Sequence, residues 1–336
     1  MDTLTDDLFE RIVIAGGQDT AIQCMPLNSR AYEIATRPRC WRAMHVRRPG
    51  IGSMRFLAKF ATRCTSIVVE SSQPVDLAWF VHGAAMHIRE AGNTLRHLEL
   101  IIDAECIDVP NNLVSSALGF VGLEYVRIAV RYPHSNHTPM HFIVHPKCAA
   151  LHTLKSFKFY EEPGEGFGAL SVIFGGSQLE MLNLHTVRIR APYTDFFDAV
   201  RPDTMPPLRN ISYMTDGIPR NMCLPSSYIK SLEVRVQNGT EARLLFNLLT
   251  TVRKIDTLVL HDDRIMPIFG CAANIRRVFI YVDGLAEGMN VHIDTERLAT
   301  CVEVVNVYGP MSGAWRVVAP HQPARTRVPI NAFRQL

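Results

Sequence analysis

Leu95-Arg-His-Leu98-Glu-Leu100, Leu123-Glu-Tyr-Val126-Arg-Ile128 and Leu154-Lys-Ser-Phe157-Lys-Phe159 put apolar residues at the same three positions, 28 and then 31 residues apart. A five- or six-residue segment with apolar side chains at alternate places can bury one face of a β-strand and leave the other to solvent. The same template runs both ways along the chain. Toward the N-terminus lies Cys64/Ile67/Val69. Toward the C-terminus come Leu179/Leu182/Leu184, Leu208/Ile211/Tyr213, Ile229/Leu232/Val234, Ile255/Leu258/Leu260, Ile275/Val278/Ile280 and Val302/Val305/Val307. Successive starts are 31, 28, 31, 25, 29, 21, 26, 20 and 27 residues apart.

A single triplet means little. In a chain that is 47% hydrophobic, three specified apolar positions coincide by chance at about one start in ten. The ordered spacing carries the reading, because it falls in or near the roughly 20–29 residues of a leucine-rich repeat. Segments between the triplets show helical spacing: Asp76–Ala91, Thr240–Thr250 with Thr240 as N-cap, and the shorter Gly168–Phe174 and Tyr193–Val200. The expected fold class is therefore α/β, a leucine-rich-repeat solenoid with a curved parallel sheet and convex-side helices. It is expected to be preceded by a small helical module. The expected boundaries are 1–48 for the helical module, 49–310 for about ten irregular repeats, and 311–336 for a tail containing Pro and Arg. The competing reading is an ordinary α/β sheet, against which no Gly-x-Gly-x-x-Gly follows any strand. The Asn that such repeats place after the triplet is replaced here, by Asp103, Asp216, Asp263 and Asp283 among others.

The formal net charge of +3 over 336 residues does not point to nucleic acid. Its distribution is uneven: from Ile34 to Val69 there is no acidic residue, and eight basic residues stand between Arg37 and Arg63. Eight scattered cysteines without a C-x-x-C pair read as thiols in a reducing compartment, so the expected location is intracellular, cytoplasmic or nuclear. No apolar run approaches the length of a membrane span, and the acidic N-terminus is unlike a secretory leader.

In the N-terminal module, Leu4, Leu8, Phe9 and Ile12 form an apolar stripe, with Asp6, Asp7 and Glu10 placed early, where the helix dipole favours acids. Gly16-Gly17 breaks this helix, and Asn28–Thr36 forms another before Pro38. The pieces Leu4-Thr-Asp-Asp-Leu8-Phe-Glu-Arg-Ile12 and Asn28-Ser-Arg-Ala-Tyr-Glu-Ile-Ala-Thr-Arg-Pro38-Arg-Cys-Trp41-Arg resemble an F-box followed by leucine-rich repeats. Thr5 stands where that family has Pro, and Pro26 interrupts a stretch the family keeps helical. The resemblance implies a Skp-type adaptor of a cullin–RING ubiquitin ligase as one partner and a protein substrate as the other. It assigns Leu4, Leu8, Ile12, Leu27, Pro38 and Trp41 to the adaptor face or its supporting core. The other reading of the same residues is a helical cap over the first repeat.

No catalytic motif is present: G-x-S-x-G, the P-loop and H-E-x-x-H are all missing. The cluster His134, His137, His141, His145 and Cys148 fits no standard zinc spacing and reads as a polar loop. We therefore expect a non-enzyme with no metal site and no cofactor. Binding is expected on the solvent side of the strands, through Arg127, Lys158, Tyr160, His185, Met214, Arg235, His261, Phe279, Tyr281 and Tyr308. The expected function is protein binding, as the substrate-recognition subunit of an SCF-type ligase. The alternative is a structural or assembly scaffold, such as a viral particle component, using the repeats as a permanent interface.

Overall fold

A computed structural model describes residues 4–47, 54–55, 59, 64–71, 81–84, 86, 94–104, 110–131, 139–145, 147–161, 170–174, 181, 183–200, 205–220, 222–261, 275–281, 304–308, 314–318 and 326–328. The chain divides into two compact units, Met1–Gly176 and Ser177–Leu336. The architecture is α/β, with parallel strands dominating and few helices among the described residues.

The first unit opens with helix α1 (Asp6–Cys24), α2 (Ser29–Ala35) and a 3-10 turn at Pro38–Trp41. Thr5 and Asn28 cap α1 and α2, each side-chain oxygen accepting a backbone N–H. Gly17 sits at φ 73°, which splits α1 into two helical segments at the expected glycine break. Trp41 is fully buried beneath these helices, its Nε1 donating to the Ala35 carbonyl at 2.8 Å. The module is tied to the sheet where Gln18 Oε1 accepts the His45 backbone N–H at 2.6 Å.

The sheet of this unit runs β1 (Ala43–Val46), β2 (Ser66–Ser71), β3 (His97–Asp103), β4 (Tyr125–Arg131) and β6 (Ser156–Glu161), neighbours in that order and all parallel. Its buried rows follow directly from the alternating sequence. Met44, Ile67, Leu98, Val126 and Phe157 stand in one register row, and Val46, Val69, Leu100, Ile128 and Phe159 in the next. Burying each such side chain contributes about 1.5–3 kcal/mol.

Behind these rows lie the helix Pro110–Ala117 and a small parallel pair, β5 (Met140–Ile143) with β7 (Leu170–Ile173). Phe142 meets Phe159 edge-on at 5.1 Å, and Phe174 meets Phe157 at 5.6 Å. The helix expected over Gly168–Phe174 is thus the strand β7. A short apolar run such as Leu170-Ser-Val-Ile does not reveal its period, and β-branched Val172 and Ile173 favour the strand.

One hydrogen-bond pattern recurs at every step. The Arg42 carbonyl accepts from the N–H groups of Thr65 and Ser66, Thr65 from Arg96 and His97, Arg96 from Glu124 and Tyr125, and Glu124 from Lys155 and Ser156. Thr94 and Thr153 add a hydroxyl bond to the Cys64 and Leu123 carbonyls, at 2.7 and 2.8 Å. These bonds satisfy the carbonyls at the strand entries.

The second unit contains β8 (Thr186–Arg190), β9 (Tyr193–Thr194), β10 (Asn210–Met214), β11 (Ile229–Arg235), β12 (Ile255–His261), β13 (Ile275–Tyr281) and β14 (Val304–Tyr308). Strands β8, β10, β11, β12, β13 and β14 are parallel neighbours in that order. Two antiparallel strands follow, β15 (Ala314–Val318) and β16 (Thr326–Val328), so the segment expected as a tail extends the sheet. The bifurcated pattern repeats here, the His185 carbonyl accepting from Arg209 and Asn210, and Arg209 from Lys230 and Ser231.

The helix Gly239–Thr251 matches the expected Thr240–Thr250, but its cap is Asn238, whose side chain accepts from Thr240 and Glu241 N–H at 3.0 Å each. Of Tyr193–Val200, only Phe196–Ala199 is helical. Residues 81–84 are helical within the expected Asp76–Ala91, most of which lies outside the described residues.

Candidate functional site

Two surfaces gather the residues that the sequence singled out. On the N-terminal module, Phe9 and Val13 turn inward while Leu8 and Ile12, one helical turn apart, are 47% and 45% exposed. Leu27, in the turn after α1, is 50% exposed, and Pro38 is exposed at the start of its 3-10 turn. Leu4 is half-buried, its carbonyl accepting a hydrogen bond from Arg30, which also holds Asp6 at 2.7 Å. Trp41 is core, not surface. Ile22 and Tyr32, which the sequence reading did not single out, are exposed on the same module. Arg37 fixes the helices to each other by donating to Glu10 Oε2 at 2.7 Å.

The second surface is the sheet face opposite the buried rows. In the first unit, Arg127 and Lys158 are register neighbours and half-buried. The Arg127 guanidinium carbon lies 5.1 Å from the Tyr160 ring centre and the same group pairs with Glu99. Arg131 donates from Nε to Asp103 at 2.8 Å and from Nη1 to Glu70 at 3.1 Å, and His45 lies 3.4 Å from Glu70. At the strand entries Glu124 lies between Arg96, at 3.9 Å, and Lys155, at 2.7 Å. On this unit the face is a mixed-charge ladder bonded within itself.

In the second unit, Arg235 and His261 are register partners, His261 faces Tyr281, and Tyr281 faces Tyr308 in the strand backbone. Met214 and Phe279 lie half-buried on the same face, with Phe279 beside Val259. Glu233 is the centre of this region. Ser212 Oγ donates to its Oε2 at 2.5 Å, and His261 Nε2 lies 3.0 Å from its Oε1. Burial by itself pushes the Glu233 carboxyl up. The hydrogen bonds from His261 and Ser212, with the charges of His261 and Arg188, outweigh that and hold it at about 2. Hydroxyl and imidazole both serve the carboxylate, whereas a nucleophilic serine needs the imidazole to face its hydroxyl.

His185 does not join the face. It precedes β8, is exposed, and its Nδ1 lies 3.2 Å from the Pro207 carbonyl oxygen. The triplet Leu179/Leu182/Leu184 is therefore not the strand. The strand is Thr186–Arg190, which buries Val187 and Ile189 and turns Arg188 and Arg190 to the outer face. Sequence reading missed both arginines, although Leu184/Val187/Ile189 fits the same template.

In the histidine-rich segment, His141 Nδ1 lies 2.5 Å from Ser171 Oγ, and the Lys147 N–H donates to His145 Nδ1. Burial pushes the Cys148 thiol up. His134 and His137 lie outside the described residues. Among the described residues no group of three His, Cys, Asp or Glu is arranged to hold a metal, and no helix is long and apolar enough to cross a membrane.

No protein-family model matches the chain, and no curated protein matches it.

Proposed function

We propose that the chain is a divergent leucine-rich-repeat protein whose N-terminal helices form an F-box-like module, and that it recruits a protein substrate to an SCF-type ubiquitin ligase. The supporting observation is the exposure of Leu8, Ile12 and Leu27 on a module whose own core is closed by Trp41. Large apolar side chains left exposed in a well-packed module mark a surface that a partner covers. The recurring strand-entry hydrogen bonds support the repeat reading, and the half-exposed outer faces supply the area on which a substrate rests. The chain's own contribution is then positional: it raises the effective concentration of substrate near the ligase.

The test is capture of a purified Skp-type adaptor by the full chain. Wild type retains it, and the Leu8→Asp/Ile12→Asp variant loses it while keeping the wild-type circular dichroism spectrum. A folded wild-type chain that retains no adaptor refutes the proposal. Isolation instead of a stable stoichiometric complex without ligase components supports the scaffold reading.

A further inference from the structure

We propose that Asn238 is a site of spontaneous hydrolytic modification, a deamidation that the native fold holds latent through the hydrogen bonds at the start of the helix Gly239–Thr251. Asn238-Gly239 is the one Asn-Gly pair in the 336-residue chain. The side-chain amide of an asparagine is open to attack by the backbone nitrogen of the next residue, and a glycine there has no Cβ to hinder the approach. Both residues are exposed, and nothing lies within 4 Å of the place a Cβ on Gly239 would take. The dipeptide therefore has both the reactive pair and the water that the reaction consumes.

The fold withholds the geometry. Asn238 is extended, at φ −151° and ψ 167°, which turns the Gly239 nitrogen out of the plane in which it could close a five-membered ring on Cγ. Ring closure requires ψ to rotate, and four hydrogen bonds oppose the rotation. Oδ1 of Asn238 accepts the Thr240 and Glu241 N–H groups at 3.0 Å each, and Nδ2 donates to Glu241 Oε1 at 2.9 Å. Glu241 Oε2 in turn accepts the Gln237 N–H at 2.8 Å. Glu241 is also packed from the side, since a Cβ on Gly217 would stand 3.4 Å from its Oε1.

When this cap opens, the Gly239 nitrogen bonds to Cγ as the Cγ–Nδ2 bond breaks. The amide nitrogen leaves as ammonia with the proton that Gly239 N–H gives up. Water then opens the succinimide at either carbonyl, giving aspartate or isoaspartate. Aspartate keeps the two capping N–H bonds, but it loses the donor to Glu241 and sets two carboxylates beside each other. Isoaspartate routes the backbone through the side-chain methylene and lengthens the link from β11 to the helix.

The experiment incubates the full chain in mildly alkaline buffer, native and in urea. Conversion at Asn238 is followed by peptide mapping with mass spectrometry that separates aspartate from isoaspartate. Where the cap recloses quickly, the native rate is the unfolded rate scaled by the open fraction. The native chain converts at least about tenfold more slowly than the unfolded one. Glu241→Ala removes two of the four bonds and speeds the native reaction by at least about threefold, with the unfolded rate unchanged. Glu241→Gln keeps an acceptor oxygen and stays closer to wild type than Glu241→Ala does, which a general loss of stability would not explain. Gly239→Ala slows conversion in both states. Equal rates in native and unfolded wild type overturn the proposal. So does an unfolded chain that shows no conversion at Asn238, or a native rate that Glu241→Ala leaves unchanged.

Discussion

His261 Nε2 lies 3.0 Å from Glu233 Oε1, across the β11–β12 boundary and on the solvent side of the sheet. With Ser212 on the other oxygen, this contact holds the carboxyl at about 2, below the roughly 4.3 of an unfolded chain. A depressed carboxylate adds stability above its unfolded value, and that stability is lost as pH falls toward the folded one. Replacing Glu233 by Gln therefore costs about 1–3 kcal/mol near neutral pH. The wild-type advantage in urea unfolding shrinks below about pH 4.5 as the window down to about 2 is crossed. A gap that stays constant down to about pH 3 contradicts this assignment.

Trp41 and Leu8 carry opposite expectations although both belong to the same small module. Trp41→Ala removes a fully buried indole and its bond to the Ala35 carbonyl, costing about 3–5 kcal/mol. Leu8→Asp changes a side chain 47% exposed near a helix N-terminus and stays within about 0.5 kcal/mol of wild type. Differential scanning calorimetry of the two variants separates core from surface. Equal destabilisation by both would refute the surface assignment.

Two glycines are expected to differ in sign. Gly17→Ala forces a Cβ onto a residue at φ 73° and costs about 1–3 kcal/mol, although nothing lies within 4 Å of the added atom. Gly239→Ala, also with nothing within 4 Å but with no positive φ, stabilises by about 0.4–1 kcal/mol. Thermal melts of the pair settle the matter: a positive shift for Gly17→Ala would disprove the kink.

Among the described residues Arg131 bridges Asp103 and Glu70, and Arg131→Leu leaves these two carboxylates on neighbouring strands without their shared cation. The expected loss is about 1 kcal/mol at low ionic strength, since all three groups remain partly solvated. Raising salt to about 1 M should remove most of the difference, and a salt-independent loss would point to packing instead.

The sheet was legible because its buried rows need a period of two, and that period is written in Leu98/Leu100, Val126/Ile128 and Phe157/Phe159. It misled where two overlapping matches competed. Leu179/Leu182/Leu184 and Leu184/Val187/Ile189 both satisfy the template, and only the second alternates with arginines that seek solvent. The wrong choice misplaced His185 and concealed Arg188 and Arg190. At the Gly239–Thr251 helix, Asn238 and Glu241 already form the Asn-x-x-Glu signature of a helix start. Glu241 reaches back to the Gln237 N–H at 2.8 Å, so Asn238 was the better cap to read.

The N-terminal surface was read in part. Helical spacing put Leu4, Leu8, Phe9 and Ile12 into one stripe, and the F-box resemblance added Trp41, but neither says which side faces its own module. That depends on α2 and the 3-10 turn covering Phe9 and Val13, and on Trp41 turning inward to Ala35.

The backward-reaching bonds at the strand entries of the first unit bear on synthesis as well as stability. Thr153 closes onto a carbonyl 30 residues earlier, and Thr94 does the same toward Cys64. In the first unit every new strand of the main sheet docks on one that left the ribosome before it, never on one still to be made. Such a chain can assemble vectorially during translation, each step waiting only for about one more repeat's worth of polypeptide.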